Sequence, residues 1–357
     1  MPRVRRRSQR RSVGYAAFGL LILAFGAGAL FALRPAATPQ PNTSASITQV
    51  NLLLDGAYGA RFAGESIASA LGLFSSNIRL MARPGDSDFV ENVAREHAIG
   101  VTSGHNFLLA AWRGAPVTAF AASFLDTSVA IFALESSGVR RPADLIGKRI
   151  GYRSGGEAVV IFDAMMAQLQ LPRSQVQKVA DRDSFDALRR KEVDAIVIET
   201  DHQQNSSIIQ HLKVNVIKPQ DYGVHVPGLV YFATNSLLHD KPSVIANVLQ
   251  GIIRGWQLAY ADYALSIPVL AAFDPERLTF EELRFELEQQ RSLVLPVGGR
   301  IADYDESRWR TLRDILVFAK VGEERVPLAQ TVNYQFLRDV YRRAPDLAGP
   351  GAWSGNK

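Results

Sequence analysis

Short apolar strands alternate with amphipathic helices twice along this chain, once over roughly residues 47–130 and again over 136–225. That alternation limits the fold more than any other feature. Strands separated by helices are joined by crossovers and form sheets covered on both faces. The clearest step is Pro142–Met166, PADLIGKRIGYRSGGEAVVIFDAMM. It reads as a turn, a strand over Arg149–Tyr152, a glycine-rich loop at Ser154, Gly155 and Gly156, and a helix. Ile161, Phe162, Met165, Met166 and Leu169 fall on one face of that helix. Such a step leaves backbone N–H groups and the positive end of a helix dipole at the loop. In open α/β sheets, ligands collect there.

The first block reads as a strand over Ile47–Leu54 ending at Asp55, a turn at Gly56 and Gly59, and a helix carrying Phe62, Ile67 and Leu71. Strands follow at Ile78–Met81 and Ile99–Thr102, and the turn Ser103-Gly104 opens a helix over His105–Trp112. In the second block, Ser184 caps a helix and Ala195–Ile198 is a strand ending at Glu199. Strand Leu229–Thr234 can return to the first block. Two lobes then meet at two crossings, near residues 127–135 and 225–232, a hinge able to close on a ligand. Both sheets are expected to be parallel. Pro242 opens a long helix whose face is Ile245, Val248, Leu249, Ile252, Trp256 and Tyr260, and this aromatic stripe is expected in the core. The expected division is 47–130 plus 229–343 as one lobe, 131–228 as the other, and 344–357 as a frayed tail.

The N-terminus is of a different character. Residues 1–12 carry six arginines, and Val13–Leu33 is an uncharged run of 21 residues, long enough to span a membrane. The arginines place the basic segment in the cytoplasm and everything after Arg34 outside, on the extracytoplasmic face of the inner membrane. The run exceeds the apolar core of a cleaved signal peptide, which favours an uncleaved anchor, although small residues at Ala27–Ala32 leave cleavage open. Residues 34–46, rich in Pro, Ser, Thr and Ala, read as an extended linker. The net charge of +5 belongs to this terminus: removing the seven arginines before residue 35 leaves 33 basic against 35 acidic residues. No basic face for nucleic acid is expected elsewhere.

The chain has no cysteine, which excludes disulfides, thiolate metal sites and cysteine nucleophiles. Its six histidines show no metal-ligand spacing, and no nucleophile elbow, nucleotide-binding loop or zinc-protease motif occurs. The sequence therefore points to a binding protein rather than an enzyme, with neither cofactor nor metal.

Three runs carry a family likeness: GAPVTAFAASFLDTSVAIFALESSGVRRPADLIGKRIGYRSGG, then VDAIVIET, then VNVIKPQDYGVHVPGLVYFATN. Together they resemble the NMT1/THI5-like group of thiamine-pyrimidine-precursor binding proteins, over roughly Val50–Asp274. These are type II periplasmic binding proteins, related to the taurine, alkanesulfonate and nitrate binders. The resemblance implies a two-lobed α/β fold, here preceded by one N-terminal transmembrane helix. It further implies an ABC transporter permease with a separate ATPase as partner, and a monomeric chain. Carried over by position, it nominates Asp55, Ser103, Gly155, Gly156, Glu157, Glu199 and Tyr222 as ligand-binding. The group's usual D-W-x-P-N-x-x-H after the first strand is D-G-A-Y-G-A-R-F here. The usual Trp becomes Gly56 and the usual His becomes Phe62, so Tyr58 or Phe62 would supply the stacking surface. His105 and His225 are further candidates for the cleft, and His105 lies close to the histidine of related pyrimidine synthases. The cysteine-rich loop of those synthases is missing.

Glu157, Glu199 and Asp55 can each be read as a helix or strand-end charge, or as a wall of the cleft. A carboxylate in the cleft repels an anion and accepts from the amino group and ring nitrogen of an aminopyrimidine. Arg61 and Arg153 argue for an anion instead. Two alternatives follow: an alkanesulfonate, taurine or nitrate binder, and a membrane-anchored sensory or assembly factor on the same fold.

Overall fold

The structure is a computed structural model and describes residues 49–200, 212–273, 278–296 and 298–348. The expected membrane span and linker fall outside these residues. Among the described residues, no helix is long and apolar enough to cross a membrane.

Ten strands form two five-stranded sheets. The first contains β1 (Val50–Leu54), β2 (Ile78–Ala82), β3 (Ile99–Ser103), β4 (Val117–Ala122) and β10 (Leu229–Thr234), in the order β2-β1-β3-β10-β4. The second contains β5 (Val129–Leu134), β6 (Arg149–Tyr152), β7 (Gln177–Ala180), β8 (Ala195–Glu199) and β9 (Val214–Ile217), in the order β7-β6-β8-β5-β9. The sheets are mixed rather than parallel. β1 runs parallel to β2 and β3, and β6 to β7 and β8, but β10 is antiparallel to β3 and β4, and β5 to β8 and β9. The reversed strands are the two that directly follow a crossing, because the chain re-enters each sheet from the hinge end. β5 begins at Val129, so the first crossing is Ser123–Ser128, upstream of the expected 127–135 and two residues before the expected lobe boundary.

Burial on both faces explains the strands' continuous apolar runs. Val129, Ile131 and Ala133 of β5 face the main core, while Ala130 and Phe132 face a smaller cluster with Phe185 and Leu188. The Phe132 and Phe185 rings lie 5.3 Å apart, edge to face. Helix α1 (Ala63–Ala70) follows β1, α2 (Phe89–Arg95) follows β2, and α3 (Gly104–Trp112) follows β3, capped by Ser103. In the second lobe, α4 (Glu157–Gln168) follows β6, and α5 (Phe185–Arg189) starts at the Ser184 cap. Beyond β10 come α6 (Asn235–Asp240), α7 (Pro242–Ala261), α8 (Tyr263–Phe273), α9 (Phe280–Val294), α10 (Glu306–Phe318), α11 (Leu328–Thr331) and α12 (Gln335–Arg343).

The long helix α7 behaves as its pattern predicts. Ile245, Val248, Leu249, Ile252, Trp256 and Tyr260 are all buried, with the last two rings stacked 5.8 Å apart. It packs on α1 through glycines: a Cβ at Gly255 would lie 2.0 Å from the Gly64 carbonyl oxygen. Behind this contact, the fully buried Glu65 accepts from the Tyr231 hydroxyl at 2.7 Å, and Tyr231 lies 3.0 Å from Ser123 Oγ. The expected tail 344–357 carries structure where it begins, and residues 349–357 lie outside the described residues. Pro345–Ala348 forms a turn of 3-10 helix, Leu347 is buried, and Gln257 donates to its carbonyl at 2.8 Å. One apolar side chain anchors the end of α12 there.

Candidate functional site

Between the sheets lies a cleft of about 250 Å³, walled by the loops after β1, β3, β6 and β8 and by both crossings. Each wall is placed by a strand end. Asp55 follows β1, its N–H bonded to the Val101 carbonyl at 2.9 Å, and its carboxyl accepts from the fully buried Thr102 hydroxyl. Burial raises the Asp55 pKa against the opposing effects of Thr102, Arg61 and Asn106. Ser103 accepts from the Asn106 N–H at 3.1 Å, which turns β3 into α3 at the wall.

Across the cleft, Gly155 adopts φ +74°, a left-handed turn that a side chain resists, and Gly156 leads into α4. Glu157 occupies the first turn of α4 and is buried, with the Thr127 hydroxyl donating to it at 3.4 Å. Its carboxylate therefore lies at the positive end of the α4 dipole, where a bound anion would otherwise lie. Glu199 ends β8, beside Thr200, whose N–H and hydroxyl both donate to the Ser128 carbonyl at 3.0 Å.

The structure brings Asp55, Ser103, Gly155, Gly156, Glu157 and Glu199 together on this cleft. It does not bring Tyr58, Phe62, His105 or Tyr222 to the wall. The Tyr58 hydroxyl donates to the Leu80 carbonyl at 3.3 Å and its ring lies 5.2 Å from Phe273, directed away from the cleft. Phe62 is fully buried, because the short 3-10 turn Ala60–Phe62 rotates its ring into the core beneath Gly56. Tyr222, at the end of the 3-10 turn Pro219–Tyr222, packs half-buried against the main core. His105 is buried behind Ser103, and burial lowers its pKa to about 4 against the opposing charge of Glu199. His225 belongs to the hinge rather than to this wall.

Residues that pattern reasoning missed are Asn106, Phe124, Thr127, Ser128, Gly228 and Leu229. All but Asn106 belong to the crossings or their ends, and Phe124 among them is fully buried. The crossing Ser123–Ser128 carried a usable signal: two hydroxyl residues, Thr127 and Ser128, between two apolar strands. The two arginines weighed against a heterocycle, Arg61 and Arg153, also line the cleft. The Arg153 side chain is 77% exposed and pairs with Asp183 at 3.2 Å, which places it on the rim.

A model of the family described as NMT1/THI5 like matches residues 60–263, more than half of the chain, and the protein belongs to that family. Its fold is that of the periplasmic binding proteins. The aliphatic sulphonate binding protein SsuA of Escherichia coli superposes with a TM-score of 0.66 at 17% identity, covering 80% of this chain and 92% of that one. The alkanesulfonate-binding SsuA of Xanthomonas axonopodis pv. citri, solved with MOPS bound, gives 0.60 at 15% identity, with 80% and 98% coverage. The desulfurization enzyme DSZB gives 0.58 at 14% identity, with 83% and 99% coverage, so the architecture also carries an enzyme. At such identities the likeness is one of fold. No curated protein matches the sequence.

Proposed function

We propose that this protein is the solute-binding component of an ABC-type importer, acting without catalysis on the extracytoplasmic face of the inner membrane. A monomer tethered by the N-terminal run would capture a small nitrogenous heterocycle, the thiamine pyrimidine precursor or a similar compound, and deliver it to a permease driven by a separate ATPase. The observation that carries this reading is the convergence of Asp55 from the first lobe with Glu157 and Glu199 from the second on one cleft. Two carboxylates on one wall and a third opposite accept well from ring N–H and amino groups and oppose an anion. The cleft's volume suits a single ring with its substituents.

A second reading, a sulfonate binder, is favoured by Arg61 and Arg153 in the same lining and by the sulfonate-binding proteins of like fold. Native mass spectrometry of protein purified without refolding separates the two. A co-purifying nitrogen heterocycle is expected, and a sulfonate mass would reject it in favour of the second reading. Calorimetry with the aminopyrimidine of thiamine gives the residue-level test. Glu199→Gln is expected to weaken binding by about tenfold or more, the worth of one charge-assisted hydrogen bond. Unchanged affinity would remove Glu199 from the site.

A further inference from the structure

The hinge carries a cluster of charged side chains that lies outside the cleft lining. Asp126 lies on the first crossing, His225 on the second, and Arg308 on α10, the helix that touches both α3 of the first lobe and α4 of the second. Arg308 pairs with Asp126 Oδ2 through Nη1. His225 Nδ1 lies 3.0 Å from the same carboxylate oxygen and 3.3 Å from Arg308 Nη1. Asp305, the cap of α10, stands behind, with Oδ2 at 3.5 Å from Arg308 Nε. The side chains of Asp126 and Arg308 are 14% and 16% exposed, whereas that of His225 is 48% exposed. The ion pair is shielded while the imidazole reaches water.

The two contacts of Nδ1 demand opposite states. Donating to Asp126 requires a proton on Nδ1, and accepting from the guanidinium requires a lone pair there. Both cannot be made at once. Histidine is the side chain that ordinarily changes charge between about pH 5 and 8. When protonated, it donates to Asp126 and adds a second positive charge to a group that otherwise sets two carboxylates, Asp126 and Asp305, against one guanidinium. When neutral with its proton on Nε2, it accepts from Arg308 and leaves Asp126 to the guanidinium. The charged groups facing it are Asp126 from the first crossing and Arg308 with Asp305 from α10; its neighbours Val224, Val226 and Pro227 carry no charge. Asp126 Oδ1 and Arg308 Nε are buried without a hydrogen-bond partner, so the cluster holds one unused acceptor and one unused donor for a rearrangement.

We propose that Asp126, His225 and Arg308 form a proton-dependent latch, which joins both crossings to α10 and tightens when His225 is protonated. The backbone makes such coupling direct. The Gly228 N–H donates to the Phe124 carbonyl at 3.0 Å, and a Cβ at Gly228 would lie 2.3 Å from the Asp126 carbonyl oxygen. The crossings therefore move together, and a group that holds both to α10 restrains the lobes.

The chain's lack of cysteine allows a clean test. Ser174→Cys on the second lobe and Ser243→Cys on the first place one spin label on each, both at exposed positions. Double electron–electron resonance on the ligand-free full chain is expected to give a broader distance distribution near pH 8 and a narrow one near about pH 5.5. His225→Gln and Arg308→Met are both expected to be broad at both pH values. The cleft lining is the same in the parent and in His225→Gln, so the difference between those two isolates the latch. A pH response that survives in His225→Gln, or a parent distribution identical at both pH values, overturns the proposal. If Arg308→Met does not fold, the His225→Gln comparison decides alone. No solute enters the measurement, so its failure leaves the binding reading intact, and failure to find a ligand leaves the latch intact.

Discussion

Gly255→Ala is expected to destabilise the protein by about 3 kcal/mol, at a helix-interior position where the same change ordinarily stabilises by about 1 kcal/mol. The reversal follows from the contact between α1 and α7. The added methyl carbon would stand 2.0 Å from the Gly64 carbonyl oxygen and 3.2 Å from Ala68 Cβ, and the nearer obstacle is backbone. Neither can turn away as a side chain would, so the helices must separate. Gly64 itself faces the Trp256 indole, which a Cβ there would approach to 2.2 Å, so any separation also opens the packing around a fully buried tryptophan. Denaturant titration of parent and variant measures the difference. A more stable variant would show that α1 and α7 do not meet at this distance.

The second large effect concerns pH. Glu65 is fully buried, and desolvation raises its pKa from 4.5 to about 7, against the opposing hydrogen bond from Tyr231. The unfolded chain keeps the ordinary value, so between these limits the folded state binds more protons than the unfolded one. Stability therefore falls as pH rises through that interval, with no penalty below it and the full penalty above about 7. The difference corresponds to on the order of 3 kcal/mol. Glu65→Gln keeps the shape and an acceptor for Tyr231 but cannot ionise. It is expected to match the parent near pH 4 and to exceed it by that amount near pH 8. Other groups contribute equally to both proteins, so the gap between their curves belongs to Glu65. Parallel curves would mean that Glu65 is hydrated rather than buried.

The sequence made legible those features that follow from local pattern. Strand ends at Asp55, Ser103 and Glu199 were visible because an apolar run stops there, and all three reach the cleft. The α4 entry was visible because two glycines precede a helical period. Direction was not visible: a turn of one residue decides whether an aromatic faces ligand or core, and Phe62 went to the core while Tyr58 turned to Phe273. Nor were the reversed strands β5 and β10 visible, since an apolar strand reads alike in either direction. The role of α10 rests on contacts across more than eighty residues of sequence, between Arg308 and His225, which no local spacing encodes. The hydroxyls of Thr127 and Ser128 fell inside the expected crossing and were within reach of pattern reasoning.

The position of β4 within the first sheet has a consequence for how the molecule is made. β4 is hydrogen-bonded into its sheet through β10, and on its other side Ala119 bridges to Val332. Both partners are synthesised long after it. The second sheet, by contrast, draws all five strands from the continuous stretch Val129–Ile217. A chain emerging from its N-terminus can therefore complete the second sheet while VTAFAA, every residue of which ends up buried, waits with both edges open. The second crossing leads directly into β10. When that strand enters between β3 and β4, it closes the first sheet, sets the two crossings against each other and brings the cleft into being in a single event. The cleft cannot form before β10 has been made, and the helices that complete the first lobe follow later still.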